Sequence, residues 1–188
     1  MTLPNKLTFM RILIIPVMLV IYYIPLLRNN TIFFNVSIAT FINLLLFIIA
    51  SSTDFLDGHL ARKHNLVTTF GKFADPLADK MLVFTAMSMF LAAGVLPMWV
   101  FVVILIREFI VSGVRMVAVE GGKVIAASKL GKLKTIVTMV ALIVMFLYQI
   151  NNVILVIGQV GMYLACALTI ISGVEYFWKN RSIILQSI

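Results

Sequence analysis

Apolar residues run along this chain in long blocks, with neither the alternation of a strand nor the narrow stripe of a surface helix. Six such blocks stand out, at residues 7–27, 34–55, 73–93, 97–119, 130–149 and 153–177. Each reaches about the 20 residues a helix needs to cross hydrocarbon, and all are too long for membrane strands. Between them stand turn-forming and polar residues: Arg28-Asn29-Asn30, Ala93-Gly94 ahead of Pro97, Gly121-Gly122 and Asn151-Asn152. The first block meets Arg-Asn-Asn rather than a small-residue cleavage site, so it reads as a retained span. The pattern predicts an all-α integral membrane protein of six transmembrane helices. With no fixed-period repeat and no low-complexity stretch, residues 1–188 read as one domain.

Composition narrows the class. Of 188 residues, 62% are apolar and 12% charged, against about half and a quarter in a soluble domain. That excludes a disulfide scaffold, a disordered tail and a soluble enzyme on one anchor. The single cysteine, Cys166, lies inside an apolar block and can form no intrachain disulfide.

The charges are few and one-sided. Fifteen Lys and Arg oppose seven Asp and Glu, for a net +8. No basic run interleaves with aromatics in a segment long enough to fold outside a bilayer, so nucleic acid is not an expected partner. Anionic lipids and anionic substrates are. Lys6 and Arg11 flank the start; Arg62, Lys63, Lys72 and Lys80 surround the second connection; Lys123, Lys129, Lys132 and Lys134 follow the fourth block; Lys179 and Arg181 follow the sixth. The alternate connections hold only Arg28. The positive-inside bias then predicts that both termini and both basic loops face the cytoplasm.

All four aspartates fall within 26 residues: Asp54, Asp57, Asp75 and Asp79. The first two are three apart and share a helical face at the end of the second block. Gly71, Asp75 and Asp79 recur every four residues at the start of the third. A short connection would bring the two faces together at the membrane boundary. Four crowded carboxylates repel and are costly beside hydrocarbon unless compensated. Hard oxygen donors without cysteine favour magnesium, manganese or calcium over zinc. His59 and His64 lie in the same window, but five apart they do not stack on one face. Two metals on bridging carboxylates suit phosphoryl transfer. Gly58, Ala61 and Gly71 leave room for a large ligand, or equally for close helix packing. The alternative for the aspartates is helix capping and pairing with neighbouring Lys and Arg.

The run Asp54-x-x-Asp57-Gly58-x-x-Ala61-Arg62, eight residues, then Gly71-x-x-x-Asp75-x-x-x-Asp79 resembles the signature of the CDP-alcohol phosphotransferases at every specified position. The resemblance implies a six-helix membrane fold, homodimeric, with a two-metal magnesium or manganese site open to the cytoplasm. It further implies that Asp54, Asp57, Asp75 and Asp79 hold the metals and that Asp79 is the general base. By the same resemblance Gly58, Ala61, Arg62 and Gly71 contact the CDP moiety, and the opening L-P-N-K-L-T-x-x-x-R brings Asn5 and Thr8 to the nucleotide.

The acceptor must be read elsewhere. In the fourth block, I-R-E-F-I-V-S-G-V-R places Arg107, Glu108, Ser112 and Arg115 in apolar surroundings. At about 1.5 Å per residue from Pro97, Arg107 lies some 15 Å into the membrane, where an arginine needs a partner. Adjacent residues do not face each other on a helix, so Arg107 is expected to meet another helix, an aspartate of the hairpin, or a substrate rather than Glu108. Arg107 and Arg115, with Lys132 and its neighbours Lys129 and Lys134, could surround a phosphate or face anionic lipid. These stretches are similar to those of bacterial family members that join CDP-diacylglycerol to sn-glycerol 3-phosphate in phospholipid biosynthesis at the cell membrane. Members that use inositol phosphate, or that make cardiolipin, are the alternatives within the family. Cation transport is the alternative outside it, disfavoured because the acids lie at one face rather than near the midplane.

Overall fold

A computed structural model of the chain describes residues 3–64, 69–120 and 128–186. Helix α1, Leu3–Tyr23, stops where Ile24 precedes Pro25, because a residue before proline is pushed out of the helical region. Ile24 is extended (φ −73°, ψ 113°), and Pro25 opens the short helix α2, Pro25–Asn29. The expected first span is therefore two helices. A small hairpin follows, β1 (Thr31–Phe33) against β2 (Val36–Ser37), turned at Phe34 and Asn35 with φ of 46° and 63°. Two consecutive left-handed residues match the twist of paired strands. The expected second block began at residue 34, which reads as apolar but stands in this turn. The fold is otherwise helical.

The remaining helices overlap the predicted blocks, with α3 and α7 each running nine residues past the expected end: α3 (Ile38–His64), α4 (Thr69–Ala92), α5 (Met98–Glu120), α6 (Lys129–Phe146) and α7 (Asn152–Gln186). Their starts carry legible caps. Ser37 Oγ accepts from Thr40 N–H at 3.2 Å, Ser128 Oγ from Gly131 N–H at 3.0 Å, and Asn151 Oδ1 from Ile154 N–H at 2.8 Å. After α4, Gly94 takes a φ of +72° and Val95 N–H returns to Phe90 O at 3.1 Å, a closure that needs glycine.

Helix α1 packs on α3 and α4, α5 on α7, and α6 most extensively on α7. Met18, Phe47, Leu82, Ile104, Phe146 and Met162 fill the centre. Phe146 meets Phe90 and Phe47, with ring centroids 4.8 and 5.6 Å away. Glycine permits the close approach of α6 and α7: a Cβ at Gly161 would stand 2.9 Å from Ala141 Cβ. Cys166 is buried and free.

The outside is apolar too. Val20, Ile49, Ile106, Ile136, Val140, Ile157, Leu164 and Ile171 are all exposed, far more contiguous hydrocarbon than a water-facing surface carries. Among the described residues, the segment Asn152–Arg181 is long and apolar enough to cross a membrane, and Thr8–Tyr23 and Ile38–Thr53 are shorter apolar helices. Helix α5 carries Arg107, Glu108 and Arg115, and α6 carries Lys129, Lys132 and Lys134, so composition alone does not mark them as spans. Those charges build the site.

Candidate active site

Glu108 and Ser112 lie four residues apart on α5, one above the other on a single face. That face meets α4 and α6. Lys134 of α6, which is buried, pairs with the Glu108 carboxylate. Lys80 of α4 donates to the Glu108 carbonyl at 3.3 Å and meets the Ser112 hydroxyl, which itself donates to that carbonyl at 2.7 Å. Arg107 donates from Nη1 to Glu108 Oε1 at 2.7 Å and from Nη2 to Ser172 Oγ of α7 at 3.0 Å. Glu108 is thus the hub of three cations drawn from three helices.

The expectation that Arg107 would pass Glu108 by is overturned, although it does reach another helix. The guanidinium stem is long enough to fold back along α5 while its far nitrogen touches α7. Gly173 allows this: a Cβ there would be 3.3 Å from Arg107 Cγ. No aspartate partner of Arg107 occurs among the described residues.

Asp79 lines a cavity of about 60 Å³ with Lys80, Val83, Phe84, Ile104, Glu108, Lys134, Thr135, Thr138 and Met139. The cavity therefore has an acid from the motif on one wall and the Glu108 cluster on the other. Thr138 holds its hydroxyl on the Lys134 carbonyl at 2.8 Å. Lys132, two residues earlier on α6, is exposed on the other side. Arg115 is also exposed, with its guanidinium 5.7 Å from the centroid of the Tyr176 ring.

The motif occupies the end of α3 and the beginning of α4. Asp54, Asp57, Gly58, Ala61 and Arg62 fall on the last turns of α3, and Gly71, Asp75 and Asp79 on the first turns of α4. The two helices pack together on either side of residues 65–68, as the hairpin expectation requires. Apart from Asp79, the side chains of these motif residues lie outside the described residues, and so does that of Asn5. Among the described residues no group of three acidic, histidine or cysteine side chains gathers. Thr8 is buried on α1, one turn from Arg11. Arg11 was expected at a cytoplasmic flank, yet it is fully buried, and its Nε donates to Ala50 O at 3.3 Å. Ala50 stands one helical turn before Asp54.

Several of these residues escape sequence reasoning. Glu108 shows only as an acid beside Arg107. Lys80 reads as a boundary charge, and Ser172 and Gly173 carry no signal along the chain. Only the meeting of α4, α5, α6 and α7 reveals them as one cluster.

Comparison with known proteins identifies the family. The family model described as CDP-alcohol phosphatidyltransferase matches residues 1–171. The chain is 41% identical over 182 residues to the CDP-diacylglycerol–glycerol-3-phosphate 3-phosphatidyltransferase of Bacillus subtilis, covering 95% of this chain and 94% of that protein. It is 42% identical over 178 residues to the Rickettsia typhi protein of the same name, covering 93% and 94%. A probable phosphatidylglycerophosphate synthase of Mycobacterium tuberculosis is 38% identical over 174 residues, covering 93% of this chain and 79% of the other.

Proposed function

The chain belongs to the CDP-alcohol phosphatidyltransferase family, and we propose that it transfers the phosphatidyl group of CDP-diacylglycerol to sn-glycerol 3-phosphate, giving phosphatidylglycerophosphate and CMP. The relatives named for that reaction support the choice of substrates. The observation that carries it is the cavity where Asp79 faces Lys134 and Lys80. A dianionic acceptor needs cations beside the base that activates its hydroxyl, and this junction supplies both.

In this reading the chain is a multi-pass membrane protein of six spans, with both termini and the acidic site on the cytoplasmic side. The exposed apolar belt and the one-sided basic residues support it. One substrate is a lipid and the other a water-soluble dianion, and an interfacial cleft reaches both. A homodimer, which the family resemblance implies, is part of the same reading.

Asp79 takes the proton of the acceptor hydroxyl. The acceptor oxygen forms a bond to the phosphorus nearest the diacylglycerol, and the bond from that phosphorus to the CMP oxygen breaks. Arg107, Arg115 and Lys132 would hold the acceptor's own phosphate, while Lys80 and Lys134 line the cavity beside Asp79. Asn5, Thr8, Gly58, Ala61, Arg62 and Gly71 seat the CDP portion. The donor set suits hard divalent cations, because two acids at the end of α3 and two at the start of α4 offer only oxygen. Asp54, Asp57, Asp75 and Asp79 would hold magnesium or manganese, which supplies neutralisation of pyrophosphate charge.

The test offers purified protein CDP-diacylglycerol with glycerol 3-phosphate, inositol phosphate, serine or phosphatidylglycerol, and reads CMP release. Release is expected with glycerol 3-phosphate alone. Release only with inositol phosphate or with phosphatidylglycerol moves the chain to another branch of the family.

A further inference from the structure

A larger cavity, about 750 Å³, opens between α5 and α7. The two helices run parallel: Trp99 stacks on Tyr163 at 5.7 Å, and Arg107 reaches Ser172 further along both. Ile106 and Ile110 form one wall, Val174 and Phe177 the other, and Arg107 crosses the floor at Gly173. Apart from its arginines and the Trp178 indole the lining is aliphatic or phenyl carbon, so water finds few hydrogen-bond partners there. Trp178 and Arg181 stand at the far end, with the guanidinium 5.1 Å from the centroid of the indole it covers. Arg181 lies about 12 Å beyond Gly173 along α7.

Among the described residues the charge at that end is unbalanced. Glu175, the acid of this stretch of α7, is already paired with Lys179 at 2.5 Å. Arg181, which lines that end, has an aromatic contact and, among the described residues, no acid. A hydrocarbon groove ending in an arginine with no acid partner among the described residues is complementary to one molecule with an apolar chain and an anionic head. A second copy meeting this face two-fold would set the basic end against itself.

We propose that the α5–α7 groove binds one bilayer phospholipid with a net-negative headgroup, its acyl chain between Ile110 and Phe177 and its phosphate on Arg181. The proposal rests on the membrane placement above, but not on the reaction.

The chain has two tryptophans, and Trp99 lies beside Tyr163, about 22 Å along α7 from Trp178. In the full-length Trp99→Phe protein, Trp178 therefore reports the groove alone. The protein is reconstituted, without substrate or metal, in vesicles of phosphatidylcholine or phosphatidylglycerol carrying the same brominated chains, and quenching of Trp178 is read. We expect phosphatidylglycerol to be preferred about fivefold, and the preference to fall to near one with Arg181→Gln. Equal quenching by the two lipids would overturn the proposal, as would a preference that survives Arg181→Gln. Shielding of Trp178 from both lipids would also overturn it, and would point to a second copy. The acceptor assay is unaffected by these outcomes, so failure of one reading leaves the other standing.

Discussion

Lys134 of α6 and Glu108 of α5 form a buried ion pair that closes the cavity lined by Asp79. Glu108 also receives Arg107, so one carboxylate holds two cations, one from its own helix and one from α6. Pairs of this kind position groups more than they stabilise, because desolvating both charges offsets most of their attraction.

Breaking the pair from one side exposes that asymmetry. Glu108→Gln should destabilise the protein by about 3–5 kcal/mol, since buried Lys134 and half-buried Arg107 lose their counter-charge. Adding Lys134→Met to that variant should recover part of the loss. Thermal unfolding of the two single variants and the double variant in detergent gives the coupling, expected to reach about 1–3 kcal/mol. Strictly additive effects would mean that the two residues do not act together.

Asp79→Asn should retain CDP-diacylglycerol binding while turnover drops about 10²–10⁴-fold, the usual contribution of a positioned base. Normal turnover would assign the base elsewhere. The wild-type protein should lose CMP release in chelator and regain it with magnesium or manganese. Activity that persists in chelator would remove divalent cations from the mechanism.

Acceptor and donor contacts should separate in the Michaelis constants. A lost charge-assisted contact costs about 1.5–3 kcal/mol, roughly tenfold to 150-fold. Arg115→Ala and Lys132→Ala are expected to raise KM for glycerol 3-phosphate by that range and to spare KM for CDP-diacylglycerol. Arg62→Ala should do the reverse. Arg115→Lys should rescue only in part, because an ammonium cannot make the paired bonds of a guanidinium. Small and equal effects on both substrates would mean that these cations only face anionic lipid.

Two glycines test the packing. Gly161→Ala places a Cβ 2.9 Å from Ala141 Cβ, so α6 and α7 must part, at a cost of about 1–3 kcal/mol. Gly113→Ala on α5 meets nothing within 4 Å and should be neutral or stabilising by about 0.5–1 kcal/mol, through helix propensity alone. The melting temperature should therefore fall for Gly161→Ala and hold or rise for Gly113→Ala; equal falls would contradict the close α6–α7 approach.

By itself, the sequence determined what depends on local pattern. Block lengths of apolar residues set the long helices, and the Asn151-Asn152 break marked the start of α7, because capping acts over a few residues. The spacing from Asp54 to Asp79 announced the chemistry and the family, since i, i+3 and i, i+4 steps put side chains on common helix faces. The hairpin at Phe34 and Asn35 stayed hidden, because an apolar residue in a left-handed turn looks like the start of a helix. Tertiary structure alone decided which charges meet. Lys132 and Lys134 are indistinguishable along the chain, yet the rotation of α6 exposes the first and buries the second on Glu108. Arg11 reads as a flanking charge until α1 packs on α3 and carries it to Ala50. Arg107 becomes a bridge only because Gly173 of a helix more than sixty residues away leaves space for its stem. Such pairings depend on how helices rotate and approach one another, and that is set by packing over the whole molecule rather than by any one segment.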